Sequence, residues 1–273
     1  MVKEEQKEVI RLRNVSKHYP MGDSVVKALS HLEFKVFQGE FVAIMGPSGS
    51  GKSTAMNLVG SLDMPTFGTI YLDGGDISEL SESDLAQVRG QKIGFIFQSF
   101  NLIPNLTVQE NVMLPMMFQG TSLEEREEKA IELLKLVELD DRMDHYPGEI
   151  SGGQMQRVAI ARSLANDPEV ILADEPTGNL DTKTGAIVME FLEKLNKEGK
   201  TVIMVTHDPE LAEKYADVVY WLLDGELEKV TKRVGKKFID VTKKKKKEAA
   251  LNSVPSRKGT KVPSSSGKSN RRR

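Results

Sequence analysis

The sequence has no cysteine and a single tryptophan among its 273 residues. Without cysteine there is no disulfide framework and no thiol-ligated metal site. A reducing compartment fits this composition but is not required by it. Long apolar runs are missing too. A membrane-crossing helix needs about 20 consecutive apolar residues, and the candidate stretch Val112 to Phe118 is short and interrupted by Pro115. The first residues, MVKEEQKEVIRLRNV, are charged and lack the apolar core of a secretory signal. Any action at a membrane is therefore expected to run through a partner.

What is present suits a folded body. Hydrophobic residues make up 39% and charged residues 29%, an ordinary globular balance. The formal net charge of −2 conceals an asymmetry. Residues 1–228 carry 21 basic and 38 acidic side chains, whereas residues 229–273 carry 17 basic and two acidic ones. The body is thus expected at 1–228 and a basic, largely disordered tail at 229–273. From Lys243 onward the chain is rich in Lys, Ser, Pro and Gly and has too little apolar periodicity to offset ordering entropy.

Within the body, short apolar runs alternate with helical patterns. Phe41–Met45, Ile93–Phe97, Val170–Ala173 and Thr201–Val205 read as buried strands. Thr107 with Glu110, and Ser122 with Glu125, have capping-box spacing at the starts of helices. The expected fold is α/β, with a mostly parallel sheet and a helical subdomain inserted at about residues 100–165.

Gly46-Pro-Ser-Gly-Ser-Gly-Lys-Ser-Thr54 follows one of these strands and precedes a helical pattern. That is the context in which G-x-x-x-x-G-K-[ST] cradles phosphates. Glycines 46, 49 and 51 let backbone N–H groups turn inward, together with Ser48 and Ser50, and the helix start adds positive potential. Lys52 is placed to reach the β- and γ-phosphates, and the Ser53 hydroxyl to hold Mg²⁺, with Thr54 closing the loop. A second apolar strand ends at Asp174-Glu175. Asp174 suits Mg²⁺, and Glu175 suits an attacking water. His18, His31 and His145 have no metal-ligand spacing and carry no expected role.

Ile150-Ser-Gly-Gly-Gln154 precedes another helical pattern, 99 positions after Lys52. Exposed amides and a hydroxyl at a helix start form a second anion-binding cap. With these residues the sequence resembles the ATPase subunits of ABC transporters over roughly residues 8–228. The resemblance implies the P-loop NTPase core, an antiparallel β part at the N-terminus, and ATP with Mg²⁺ as cofactors. It implies that Gln98 links Mg²⁺ and the attacking water to the helical subdomain, and that His207 contacts the γ-phosphate. Tyr19 stands where the family stacks an aromatic on adenine, and Asp181 where it places a residue near the dimer interface. Ser151, Gly152, Gly153 and Gln154 would reach the nucleotide of a second copy, so that two chains close as an ATP-bound homodimer. Ile150 stands where leucine is usual, an apolar replacement.

The stretches Tyr19–Leu29 and Phe100–Thr107 are similar to the MacB/LolD-type group. That likeness implies an integral membrane permease as partner, contacted at about Phe100–Gln119, and a cytoplasmic location peripheral to the inner face of the membrane. The alternative is a soluble ABC-type ATPase acting on nucleic acid or ribosomes. Ser151 follows Lys52 by only 99 positions, which leaves no room for a long coiled coil, and the chain has one phosphate loop rather than two. Nucleic acid is thereby disfavoured. The basic tail could touch anionic lipid, bind nucleic acid nonspecifically, or serve as a solvated appendage that keeps the protein soluble; beyond Phe238 it has no aromatic on which a base could stack.

Overall fold

The computed structural model describes residues 6–22 and 24–242. Two sheets share the body. The first is antiparallel, in the order β2-β1-β4-β5, and comprises β1 (Glu8–Met21), β2 (Ser24–Phe37), β4 (Phe67–Leu72) and β5 (Gly75–Asp76). The second has seven strands in the order β11-β10-β9-β3-β8-β7-β6. Its strands are β3 (Phe41–Met45), β6 (Ile93–Ile96), β7 (Val170–Asp174), β8 (Thr201–Thr206), β9 (Val218–Leu223), β10 (Glu226–Val234) and β11 (Lys237–Asp240). Pairing is parallel from β6 through β9 and antiparallel from β9 to β11. The helices are α1 (Lys52–Val59), α2 (Glu82–Lys92), α3 (Val108–Phe118), α4 (Leu123–Leu136), α5 (Gly152–Ser163), α6 (Thr182–Lys197) and α7 (Pro209–Tyr215).

The continuous apolar strands have a physical cause: the parallel sheet is covered on both faces. Phe41, Ala43 and Met45 of β3 enter one core with Val188, Met189 and Leu192 of α6. Val42 and Ile44 enter another with Ala55 and Met56 of α1 and the inward side chains of the antiparallel sheet. Strands β7 and β8 split between the two cores in the same way. With both faces apolar, polar side chains are left to the strand ends, where open α/β sheets bind ligands.

Both expected capping boxes are formed. Thr107 and Glu110 close the start of α3, and Ser122 and Glu125 that of α4. Buried Asn111 adds a less local device. Its Oδ1 accepts from the Ile103 N–H, and its Nδ2 donates to the carbonyls of Ile103, Leu106 and Thr107. One side chain thereby fixes the loop that enters the helical subdomain.

The body does not stop at residue 228. Strands β10 and β11 extend the seven-stranded sheet, so residues 229–242 are ordered chain. Two of their basic side chains lie along aromatic and backbone surface. Lys229 Nζ is 4.4 Å from the Trp221 ring centroid, Arg233 is 4.8 Å from that of Phe238, and Arg233 donates to the carbonyls of Ala216 and Glu213. Fully buried Val230 anchors β10 to the core. Charge density concealed strands whose attachment rests on Val230 and on the ring contacts of Lys229 and Arg233. The remainder of the expected tail, 243–273, lies outside the described residues, as do its expected disorder and lipid contact.

Candidate functional site

The carboxyl ends of β3, β7, β8 and β9 open into one cleft of about 940 Å³. Pro47, Ser48, Gly49, Gly51, Lys52, Ser53 and Thr54 line one wall; Glu175 and His207 stand opposite, and Asp224-Gly225 closes the end beyond β9. The loop is shaped by its glycines. Gly51 caps α1 at φ 93°, and a Cβ there would fall 2.6 Å from the Ala28 carbonyl oxygen. No other residue type meets both conditions without strain. Ser50 is buried, its hydroxyl has no partner, and its carbonyl accepts from the Gly225 N–H across 3.2 Å. Lys52 is 8% exposed, and its Nζ donates to the Pro47 carbonyl across 2.8 Å, folded back over its own loop.

Opposite, β7 delivers Asp174 half-buried at its end. Burial pushes the Asp174 carboxyl above the usual range, the adjacent Glu175 charge adds to the rise, and Lys52 opposes it. Glu175 turns left-handed at φ 42°, and its N–H donates to the Val205 carbonyl across 2.9 Å. His207 Nδ1 donates to Glu175 Oε1 across 2.9 Å. The carboxylate and the imidazole expected to act on one nucleotide therefore already touch.

Other expected residues lie elsewhere. The Gln98 amide packs on the loop after Glu175, so near that a Cβ at Gly178 would come within 2.7 Å of its Nε2. Gln98 is not among the residues lining the cleft. Its carbonyl accepts from Asn179 Nδ2, and the left-handed pair Phe100-Asn101 that follows is held by Arg162 of α5, which donates to both carbonyls. Tyr19 is half-buried beside the cleft but outside its lining. Its hydroxyl donates to Asp63 Oδ2 across 2.7 Å, while Lys17 Nζ lies 4.9 Å from its ring centroid and binds Asp63 Oδ1. Burial pushes the Asp63 carboxyl up, but Lys17, Tyr19 and the Met64 N–H together hold it below its ordinary value.

Ser151 to Gln154 also lie outside the cleft. Ser151 caps α5 in a third capping box. Its Oγ accepts from the Gln154 N–H, and its own N–H donates to Gln154 Oε1 across 2.8 Å. Gly153 is required by close packing, since a Cβ there would stand 2.3 Å from Thr184 Cγ2. Asp181 caps α6, accepting from the N–H and hydroxyl of Thr184. Those bonds hold the Asp181 carboxyl below its ordinary value.

Sequence reading missed Asp63, Asp224, Gly225, Arg162 and Gln156. Two local signals were there to read: the Ser-x-x-Gln spacing of the third capping box at 151–154, and Asp224-Gly225, a two-residue hairpin turn between β9 and β10 with both residues at positive φ. The others act across the fold.

Residues 29–178 match the ABC transporter family. An uncharacterized ABC transporter ATP-binding protein of Thermotoga maritima is 52% identical over 83% of this chain and 97% of its own length. The chain belongs to the ABC transporter ATP-binding family. A second such protein, from Methanocaldococcus jannaschii, is 51% identical over 83% of this chain and 98% of its own. A dimeric ATP-binding cassette solved in a post-hydrolysis state with ADP and Pi superposes with a TM-score of 0.77 at 49% identity, covering 83% of this chain and 99% of that one. The macrolide export ATP-binding/permease protein MacB of Brucella melitensis is 50% identical over 82% of this chain, which spans 35% of that longer protein. The protein is thus an ABC-type ATPase subunit, and these matches favour the transporter class over nucleic-acid-acting relatives. Among the described residues, no helix is long and apolar enough to cross a membrane.

Proposed function

We propose that the chain binds MgATP between Gly46 and Thr54 and that two copies close head to tail around two nucleotides to drive a membrane permease. One observation carries the reading. Glu175 and His207 line the phosphate-loop cleft, whereas the second anion-binding cap, Ser151 to Gln154, contributes nothing to it. A second helix-start cap that stands outside this cleft fits the γ-phosphate held by a partner copy.

In this reading Lys52 exchanges the Pro47 carbonyl for phosphate oxygens, and the loop amides hold the remaining charge. Tyr19, steadied by Asp63, offers its ring to the base. Glu175 orients the attacking water, and His207 steadies Glu175 and meets the γ-phosphate. Most of the rate enhancement comes from positioning and electrostatics around a loose phosphoryl transition state.

The donors fit Mg²⁺. Ser53 supplies a hydroxyl, and Asp174 a half-buried carboxyl whose pKa is raised first by burial and then by the neighbouring Glu175 charge. Gln98 would join them only by leaving Gly178. Among the described residues no group of three or more His, Cys, Asp or Glu gathers, so phosphate oxygens and water would complete the shell, as is usual for Mg²⁺. When bound, the ion would neutralise charge on the β- and γ-phosphates.

The permease would dock in a second cleft of about 660 Å³ between α2, β6 and α3. Phe95, Phe97, Leu114 and Phe118 line it. Within the expected contact stretch, Met116 is core, whereas Ile103, Met117 and Phe118 are 39%, 48% and 75% exposed. Such a docked subunit would work at the inner face of the membrane. Contact of the basic segment beyond Thr242 with anionic lipid belongs to the same proposal; salt-sensitive co-sedimentation with phosphatidylserine vesicles would support it, and loss of the segment without loss of binding would remove it.

The Glu175→Gln variant tests the reading. It should bind ATP, lose turnover by about 10²–10⁴-fold, and elute as an ATP-dependent dimer. A variant that binds ATP at saturation yet remains monomeric would overturn the sandwich.

A further inference from the structure

Gln156 is a buried polar side chain that the nucleotide cleft leaves unexplained. It lies on α5, two positions after Gln154, with no exposed surface. Its Nε2 donates to the Pro176 carbonyl across 2.8 Å. Its Oε1 is buried without a partner. An apolar side chain of similar size would avoid that orphaned acceptor, so packing alone does not call for glutamine here.

What the amide touches supplies the reason. Pro176 follows Glu175, a non-glycine residue held at φ 42°. A conformation of that kind persists only where its surroundings over-determine it. The Glu175 N–H donates to the Val205 carbonyl, and the Glu175 carbonyl accepts from the Gly178 N–H, each across 2.9 Å. The Gln156–Pro176 bond is a third hold, and the one of these three that comes from α5. The same helix begins with the Ser151 cap, so Gln156 leaves it little more than one turn after the anion-binding end.

We propose that Gln156 is a positioning residue for Glu175, tying the start of α5 to the carboxylate in the chain's own cleft. Engagement of a partner's nucleotide by Ser151–Gln154 is then transmitted along one rigid helical turn to Pro176, and the water-orienting group in one site is set by occupancy of the other. This rests on the sandwich reading above.

Gln156→Leu keeps the volume and removes the donor. In the full-length protein with MgATP, its kcat should fall on the order of tenfold to a hundredfold, with KM for ATP and the thermal midpoint near wild type. Gln156→Glu adds a readout that a packing role would not move. An ionised carboxylate cannot donate to Pro176, and a protonated carboxyl can. Its kcat relative to wild type should therefore rise as pH falls, while the ratio for the leucine variant stays flat. Wild-type kcat in Gln156→Leu overturns the inference. So does a loss that tracks thermal destabilisation and is equal in both variants at every pH. The sandwich is read separately, from the wild-type rate per chain against protein concentration. A rate that does not rise removes the sandwich and the cross-site link together. A cooperative wild type beside an unimpaired Gln156→Leu removes the inference alone.

Discussion

Two segments of this chain offer amides and hydroxyls to an anion, and their surroundings differ. Gly46–Thr54 joins β3 to α1 and faces Glu175, His207 and the Asp224-Gly225 turn across a cleft. Ser151–Gln154 presents the start of α5 with comparable donors but faces no wall of that cleft. The first segment finds its complement within the chain, so its chemistry can be assembled by folding. The second is held just as firmly, by a capping box and by the Gly153–Thr184 approach. Within one copy those contacts stabilise the start of α5 but bring no wall of the cleft to it, and that asymmetry is what a partner would resolve.

The contrast can be broken or sharpened by substitution. Lys52→Ala attacks the complete half. Loss of charge-assisted hydrogen bonds worth about 1.5–3 kcal/mol should weaken ATP binding by about tenfold to a hundredfold in equilibrium titration; unchanged affinity removes Lys52 from the site. Gly153→Ala attacks the incomplete half through packing. The new Cβ meets Thr184 Cγ2 and should cost about 1–3 kcal/mol in denaturant unfolding. Thr184→Ser removes that methyl, keeps the hydroxyl bonded to Asp181, and should restore stability to the double variant.

Ser151→Ala is milder in stability, at about 1 kcal/mol for a lost N-cap. It should leave ATP affinity of the single chain intact while abolishing the ATP-dependent dimer. Reduced affinity in the isolated chain would place Ser151 in the wrong half. Asp63→Asn should have the smallest effect. Asp63 is held below its ordinary value, so its charged contacts add stability that is fully present above the unfolded carboxylate pKa of about 3.9 and is lost as pH falls through the lower folded value. The stability gap between wild type and Asp63→Asn should therefore narrow in acid; a gap that widens there contradicts the Lys17–Asp63–Tyr19 arrangement.

What was legible in the sequence was local. A strand followed by Gly46–Thr54, or by Asp174-Glu175, places its chemistry within a few residues, and the structure brings most of that loop and Glu175 to one cleft. Asp174, half-buried at the end of β7, is not among the lining residues. The capping boxes at Thr107 and Ser122 were readable for the same reason. Asp63 meets Tyr19 across 44 positions and Gln156 meets Pro176 across 20, and no local spacing announces either contact. The boundary at residue 228 failed for another reason. Lysine-rich β10 and β11 were read by charge, although Val230 and the ring contacts of Lys229 and Arg233 hold them to the body.

The central claim is that each chain carries two halves that work only across a pair. Mixing two disabled proteins tests this most directly. Lys52→Ala lacks the first half and Ser151→Ala the second, so each alone should hydrolyse ATP poorly. A mixed pair rebuilds one intact site from the loop of one chain and the cap of the other, so phosphate release should exceed the sum of the separate rates. It should stay below half the wild-type rate, because the disabled opposite site cannot set the intact site's Glu175 through Gln156. A mixture that releases no more phosphate than its components would contradict the account.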